Sequence, residues 1–235
     1  MRTIVYVDGF NFYYGSCKGT PYRWVNPWRM AELLLPASSH QVVALYYFTA
    51  ALKPQAHDPD RRQRQACYWR ALRTIPHLTL IEGTFLESQK RMPRVESRIV
   101  RALQHQCARW PLLRPWAAPR TVSVLRSEEK GSDVNLASML ILDAAANCFD
   151  LALVVSNDTD LLMPIRIVRE HFAKAVGVAP PVYFKNRNHN AELIAAADLA
   201  IPITKDFKPD IKAAQFTLEF EHPTAGRVYR PSSWA

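Results

Sequence analysis

Four aspartates stand where apolar runs of this chain end. Each run is typical of a strand buried on both faces, and parallel strands end at one edge of a sheet, where ligands bind. Carboxylates crowded at one edge repel one another and take up protons unless a cation compensates them. The sequence therefore predicts a divalent-metal site formed by Asp8 after the run 4–7, Asp133 beyond the run 121–125, and Asp158 and Asp160 after the run 151–156.

Magnesium suits such a site, because Mg²⁺ prefers oxygen ligands and is commonly held by carboxylates together with phosphate oxygens of a substrate. A bound ion orients an attacking water, lowers its pKa and neutralises charge on a leaving oxygen, which is what phosphodiester hydrolysis requires. Zinc is disfavoured, since the seven histidines contain no H-x-x-x-H pair and the four cysteines no C-x-x-C pair.

Neighbouring polar residues extend this prediction. Asn11 would orient a carboxylate or a phosphate oxygen, Ser156 and Asn157 would play similar roles, and Lys130 would contact the scissile phosphate. Structural explanations stay open for each. Asp8 suits a turn, Asp133 a helix start, and Asp158 or Asp160 a helix cap, while Lys130 suits a solvated loop.

A formal charge of +9, from 30 Lys plus Arg against 21 Asp plus Glu in 235 residues, favours a polyanionic partner, although a basic surface also serves solubility alone. Arg62 and Arg64 lie on a predicted helix that also carries Tyr68 and Trp69. Arginine beside aromatic rings suits single-stranded nucleic acid, but at least one of the rings is expected in the core. A second basic loop contains Lys185 and Arg187, which would follow phosphates.

The elements that must position these residues alternate along the chain, which favours an α/β fold with a parallel sheet. In the helix predicted at 133–147, the apolar spacing assigns the sheet-facing stripe to Val134, Ala137, Leu140, Ile141 and Ala144, with Ser132 as N-cap. The pattern predicts strands at 3–7, 42–48, 78–82, 121–126 and 151–156, and helices at 58–75, 133–147 and 160–172.

One main domain is expected over residues 1–205. It carries a basic, proline-containing insertion at about 87–120, and a tail over 206–235 holds a strand candidate at 216–220. Scattered cysteines, the lack of an apolar stretch of membrane-spanning length and an N-terminus without a signal-peptide pattern predict a cytoplasmic protein that binds no membrane. Homo-oligomer formation is left open.

Three motifs in order resemble the NYN domain family, the PIN-like nucleases that include the LabA and DUF88 proteins. The resemblance covers residues 2 to about 203 and implies a PIN-like α/β/α sandwich with a central, mainly parallel sheet. It also implies that Asp8, Asp133, Asp158 and Asp160, with Asn11 beside them, bind Mg²⁺ or Mn²⁺ for RNA hydrolysis. The matching segments are Val7–Tyr14, Lys130–Leu136 and Val155–Leu161.

The leading hypothesis is thus a metal-dependent endoribonuclease that cuts single-stranded or unpaired RNA. The alternative is a catalytically idle protein of the same fold that binds RNA or acts as a scaffold. Phosphatase chemistry of the haloacid-dehalogenase type fits less well, because Phe10 stands where that pattern has an acid. Dinucleotide binding is poorer still, since no G-x-G-x-x-G occurs.

Overall fold

The computed structural model describes residues 1–93, 121–182 and 188–234. Its centre is a seven-stranded sheet in the order β4-β3-β2-β1-β5-β6-β7, in which the neighbours from β3 to β7 pair in parallel. The strands are β1 (Arg2–Asp8), β2 (Gln41–Ala50), β3 (Leu78–Pro93), β4 (Thr121–Lys130), β5 (Leu151–Val155), β6 (Ala175–Val178) and β7 (Leu199–Ala200).

The helices pack around this sheet, and an antiparallel pair of strands, β8 (Glu219–His222) and β9 (Gly226–Tyr229), lies near the end of the chain. The predicted α/β class with a mainly parallel sheet is confirmed, in an arrangement consistent with a PIN-like sandwich. The helices are α1 (Gly9–Phe12), α2 (Pro27–Leu34), α3 (Arg61–Leu72), α4 (Ser132–Ala145), α5 (Leu162–Phe172), α6 (Ala191–Ala195) and α7 (Lys208–Ala213).

Two compact units divide the chain, Met1–Thr84 with Glu129–Ala235, and Phe85–Glu128. The second unit contains the outer part of β3 and most of β4, and residues 94–120 of the predicted insertion lie outside the described residues. The site described below belongs entirely to the first unit. No helix within the described ranges is long and apolar enough to cross a membrane.

Strand β1 separates two hydrophobic cores, because successive side chains of a strand point to opposite faces. Val5 and Val7 join a core with α2, α3 and the chain end, whereas Ile4 and Tyr6 join a core with α4, α5 and α6. This burial on both faces explains why residues 4–7 of β1 and the whole of β5 form unbroken apolar runs rather than alternating ones.

Helix α4 buries most of the predicted stripe. Leu140 and Ala144 are buried, and Ala137 and Ile141 pack against the same core. The prediction is wrong at Val134, which is 67% exposed, and it missed Leu136, which is fully buried. The predicted N-cap is also wrong. Ser132 is the first helical residue, and the cap is Gly131, whose φ of 98° is a left-handed conformation that glycine adopts without steric cost.

The end of the chain packs on the first core, where Ile211, Ala214, Val228 and Trp234 are buried. Trp24 connects this segment to the domain, since its indole N–H donates to the carbonyl of Thr217 at 2.9 Å. The strand candidate at 216–220 is displaced, because β8 begins at Glu219.

Replacement of Leu136 by alanine should lower the free energy of unfolding by about 2–5 kcal/mol, because a fully buried side chain is removed and leaves a cavity. Val134→Ala, two residues away on the exposed side of the same helix, should change it by less than about 0.5 kcal/mol. Urea unfolding followed by circular dichroism measures both. Equal losses would show that α4 does not pack in this orientation.

Candidate functional site

The turn from β1 into α1 organises the candidate site. A β-carbon added to Gly9 would lie 2.5 Å from Cε1 of Tyr47 and 2.7 Å from the carbonyl oxygen of Phe48, so only glycine lets α1 begin directly against β2. Asp8, the last residue of β1, caps α1 by accepting a hydrogen bond from the backbone N–H of Asn11 at 2.9 Å.

Hydrogen bonds connect the ends of β1 and β5. Ser156 donates from its hydroxyl to the second carboxylate oxygen of Asp8 at 3.0 Å, and its hydroxyl oxygen accepts the backbone N–H of Asp158 at 3.2 Å. The amide oxygen of Asn11 accepts the backbone N–H of Asn157 at 3.2 Å. These contacts hold the two strand ends together, and the Asp8 carboxylate is contacted by the Asn11 backbone and the Ser156 side chain rather than by the Asn11 amide.

Asn157 continues this network to the following loop. Its side chain donates to the carbonyl of Asn188 at 3.1 Å and accepts the backbone N–H of Asn190 at 2.8 Å. Asp158 accepts the backbone N–H of Asp160 at 3.0 Å, which makes it the cap of a short 3₁₀ turn. Asn157 and Asp158 thus have structural roles, because Asn157 holds the loop at 188–190 and Asp158 caps the 3₁₀ turn.

The four predicted aspartates lie near enough to repel one another. The pKa of Asp8 is raised to about 6, mainly by burial and also by the charges of Asp133 and Asp158, although the hydrogen bonds from Asn11 and Ser156 oppose the rise. The pKa of Asp133 is raised by burial and by the charges of Asp158 and Asp160. The aspartates therefore form one electrostatically coupled cluster.

Proximity alone does not make this cluster a metal centre. Within 1–93, 121–182 and 188–234, no three His, Cys, Asp or Glu side chains are grouped so that they could hold an ion together. Both carboxylate oxygens of Asp8 already accept hydrogen bonds, as does one oxygen of Asp158. The residues as placed do not fit a shared ion, and the Mg²⁺ or Mn²⁺ site stays a prediction.

Within the described ranges, the predicted basic residues lie on different elements of the chain. Arg62 is exposed on α3, and Arg64 on the same helix lines a separate cavity, where it is paired with Asp58. Lys130 ends β4, just before the glycine that caps α4. Lys185 and Arg187 lie outside the described residues. RNA binding and homo-oligomer formation stay predictions.

That cavity, of about 290 Å³, opens on the side of β1 opposite the buried face of α4. Its buried lining includes Phe12 of α1 and, from other parts of the chain, an aromatic wall that we define as Tyr47, Tyr68, Trp69 and Trp234. The ring centroids of Tyr47 and Tyr68 lie 6.2 Å apart, and those of Tyr68 and Trp234 lie 5.9 Å apart. Such tilted and edge-on contacts hold the rings in fixed positions.

Helix α3 is attached to the rim of the cavity by Gln65. Its side-chain amide donates to the carbonyl of Ala50 at 2.9 Å and accepts the backbone N–H of Leu52 at 2.8 Å. The opposite rim comes from α1 and the π-helical turn Tyr13–Cys17 that follows it. Cations also line the cavity, and they are Lys18, Arg23, Arg61 and Arg64.

The sequence interpretation missed this cavity, although two of its signals were visible. The segment 10–14 holds four aromatic residues in five positions, and Tyr68 with Trp69 follows a run of arginines. The contribution of Trp234 had no such signal, because it depends on the chain end returning to the first core.

Comparison with known proteins redirects the functional interpretation. No family model matches the chain, so its resemblance to NYN domains stays a prediction. The chain is 31% identical over 214 residues to the 6-hydroxy-3-succinoylpyridine 3-monooxygenase HspA of Pseudomonas putida (strain DSM 28022 / S16). This match includes 84% of the chain, which spans only 65% of the length of that relative.

A crystal structure of a protein of unknown function from Vibrio parahaemolyticus RIMD 2210633 is also similar. It matches with a TM-score of 0.49 and 17% identity, over 87% of this chain and 94% of that one.

The similarity to a monooxygenase overturns the predicted activity. A monooxygenase reduces dioxygen, whereas a ribonuclease adds water to a phosphodiester and transfers no electrons, so the two reactions belong to different enzyme classes. The prediction of a metal-dependent ribonuclease is wrong on this finding, together with its classification as a nuclease and hydrolase and its alternative as an idle RNA-binding protein. That prediction rested on the strand-end positions of the aspartates, the basic charge of the chain and the resemblance to NYN domains.

Asp8→Asn should make folding less dependent on pH. The pKa of Asp8 rises from 3.8 to about 6 on folding, so the native state binds its proton more tightly and stability falls as the pH rises through this interval. The free energy of unfolding is lower by about 3 kcal/mol above pH 6 than below pH 4, at about 1.36 kcal/mol per pKa unit. The variant should therefore be the more stable protein at pH 7.5.

Urea unfolding at intervals from pH 4 to pH 8 measures this effect. Asp60→Asn, which removes an exposed carboxylate just before α3, controls for the loss of one negative charge. The prediction would be contradicted if the free energy of unfolding of the wild type rose from pH 4 to pH 8 and Asp8→Asn lowered it at the upper end.

Proposed function

We propose that this chain is a monooxygenase that hydroxylates a single-ring, nitrogen-containing aromatic compound held in the cavity between α1, β2 and α3. The observation that carries the proposal is the aromatic wall of Tyr47, Tyr68, Trp69 and Trp234 in a chain similar to a pyridine monooxygenase. The chain spans only part of that relative, and the substrate and the reaction are both part of the proposal.

The cavity suits a small planar ligand. Ligand pockets usually measure about 300–1,000 Å³, so a volume of 290 Å³ lies at the lower end and matches one ring with a short side chain. A planar ring packs against the wall in offset or edge-on contacts, which orient it as well as bind it. The buried rings also keep water from the bound face of the substrate.

The proposed reaction balances with dioxygen and a two-electron donor. One oxygen atom enters the substrate as a hydroxyl group, and the other leaves as water after taking up two protons and two electrons. The donor would be a reduced nicotinamide or a reduced flavin. This chain would bind the ring, orient it and limit the access of water.

We also propose a cytoplasmic location for this activity. The reduced cysteines Cys17, Cys67 and Cys148 support it, because free thiols persist in a reducing compartment. A reducing compartment would also supply the electron donor.

The direct test is incubation of the purified chain with 6-hydroxy-3-succinoylpyridine, ¹⁸O₂ and reduced nicotinamide, with and without added flavin. We expect a product that carries one ¹⁸O atom, detected by mass spectrometry, and substrate-dependent consumption of the reductant. Label from H₂¹⁸O instead of ¹⁸O₂ would contradict oxygenation, as would the absence of product with every donor.

A variant that fills the cavity connects this activity to the site. Leu52 lines the cavity and is half-buried, so Leu52→Trp should occupy the substrate volume and lower kcat/KM by about tenfold or more, equivalent to about 1.4 kcal/mol. Leu218→Trp, the same substitution at a side chain that is 62% exposed, is the matched control. Equal activity of the two variants would place the reaction elsewhere.

A further inference from the structure

The lining of the cavity has more cationic than anionic side chains. Among the described residues, its cations are Lys18, Arg23, Arg61 and Arg64, and its carboxylate is Asp58. A surplus of positive charge beside a dry aromatic wall favours a ligand that is both planar and anionic.

Arg64 is the cation that Asp58 neutralises. One guanidinium nitrogen of Arg64 lies 2.7 Å and 2.5 Å from the two carboxylate oxygens of Asp58. The pKa of Asp58 is lowered mainly by this hydrogen bond, and Arg61 lowers it further through its charge. Lys18 lies 4.8 Å from the centre of the Tyr14 ring in a cation–π contact. Lys18, Arg23 and Arg61 therefore have no ion pair with a carboxylate among the described residues, and of these three Arg23 is the one whose guanidinium is anchored by a hydrogen bond to the backbone.

Arg23 is held in position by its inner nitrogen. Nε donates to the carbonyl of Thr20 at 3.1 Å, which leaves the two outer nitrogens without an acceptor among the described residues. The side chain is half-buried and borders the cavity. A guanidinium fixed through Nε presents its remaining N–H groups in the planar arrangement that matches the two oxygens of a carboxylate.

Tyr13 lines the same cavity and is half-buried. Its pKa is raised by burial, while the charges of Arg23 and Arg64 oppose the rise. The phenol stays protonated at neutral pH and is a hydrogen-bond donor. Arg23 and Tyr13 together offer N–H and O–H donors to a ligand in the cavity.

We infer that Arg23, assisted by Tyr13, is the carboxylate receptor of the cavity and selects aromatic substrates that carry an anionic side chain. The ring would lie against the aromatic wall, and its side chain would reach the rim, where the guanidinium binds the carboxylate in a bidentate pair. This inference rests on the proposed function, because it takes the cavity as the substrate site.

The pair between Arg23 and a ligand carboxylate should make the cavity bind the acid much more tightly than a neutral analogue of the same shape. A primary amide of the same shape has one oxygen acceptor and places an NH₂ group against the guanidinium, so one donor is left unpaired in a half-buried site. Hydrogen bonds to charged groups contribute about 1.5–3 kcal/mol, which corresponds to a preference for the acid of about tenfold to a hundredfold.

Binding without turnover tests the receptor separately from the reaction. Quenching of tryptophan fluorescence, to which Trp69 and Trp234 in the wall contribute, would give the Kd of 6-hydroxy-3-succinoylpyridine and of its side-chain carboxamide under anaerobic conditions. We expect the wild type to prefer the acid by about tenfold or more, and Arg23→Gln to remove this preference while binding the carboxamide normally.

Two further variants separate charge from geometry. Arg23→Lys keeps the charge but loses the planar pair of donors, so it should retain only part of the preference. Tyr13→Phe should weaken binding of the acid by about tenfold to a hundredfold, because it removes a hydrogen bond to a charged carboxylate. Arg29→Gln removes an exposed arginine outside the cavity and controls for the change in total charge.

The outcomes keep the two proposals distinct. Binding of acid and amide with equal affinity, or no binding of either, would overturn the receptor. A preference that survives in Arg23→Gln would also overturn it, whatever the enzyme does with oxygen. An Arg23-dependent preference in a protein that yields no ¹⁸O-labelled product would support the receptor and contradict the monooxygenase.

Discussion

The parallel pairing of β1 between β2 and β5 is the constraint on which the rest of the structure depends. Because β1 is buried on both sides, its alternate side chains belong to two different cores, Val5 and Val7 to one and Ile4 and Tyr6 to the other. The same alternation places the side chain of Asp8, the last residue of β1, beside the end of β5. The next residue, Gly9, starts α1 and lies against Tyr47 on the other face of the sheet.

Two chemically different regions therefore meet at one turn. The aspartate cluster is acidic and held by hydrogen bonds from Ser156 and Asn11, and its buried member Asp8 is the group whose ionisation opposes folding. The cavity is aromatic and lined by cations, and its ion pair between Arg64 and Asp58 leaves positive charge in excess. A net charge of +9 describes neither region, since it averages over both.

Similarity to a pyridine monooxygenase changes which region is the centre of interest. The aspartates form a coupled cluster, but within the described residues no three His, Cys, Asp or Glu side chains are grouped to hold an ion together. The cavity needs no such rearrangement to receive a ring, because Tyr47, Tyr68 and Trp234 are already fixed by contacts with one another. The proposed substrate follows from that rigid wall and from the position of Arg23.

The sequence by itself determined the α/β class, the parallel strands and the strand-end positions of the aspartates, because buried strands leave unbroken apolar runs that are followed by polar residues. It also placed Arg64 on one helix with Tyr68 and Trp69, while RNA binding by this helix stays a prediction. Tertiary structure decided that Leu136 rather than Val134 packs into the core from α4, since both are apolar residues in the first turns of this helix. It also brought Trp234 from the chain end to the cavity, a contact between residues far apart in the chain that no local pattern encodes.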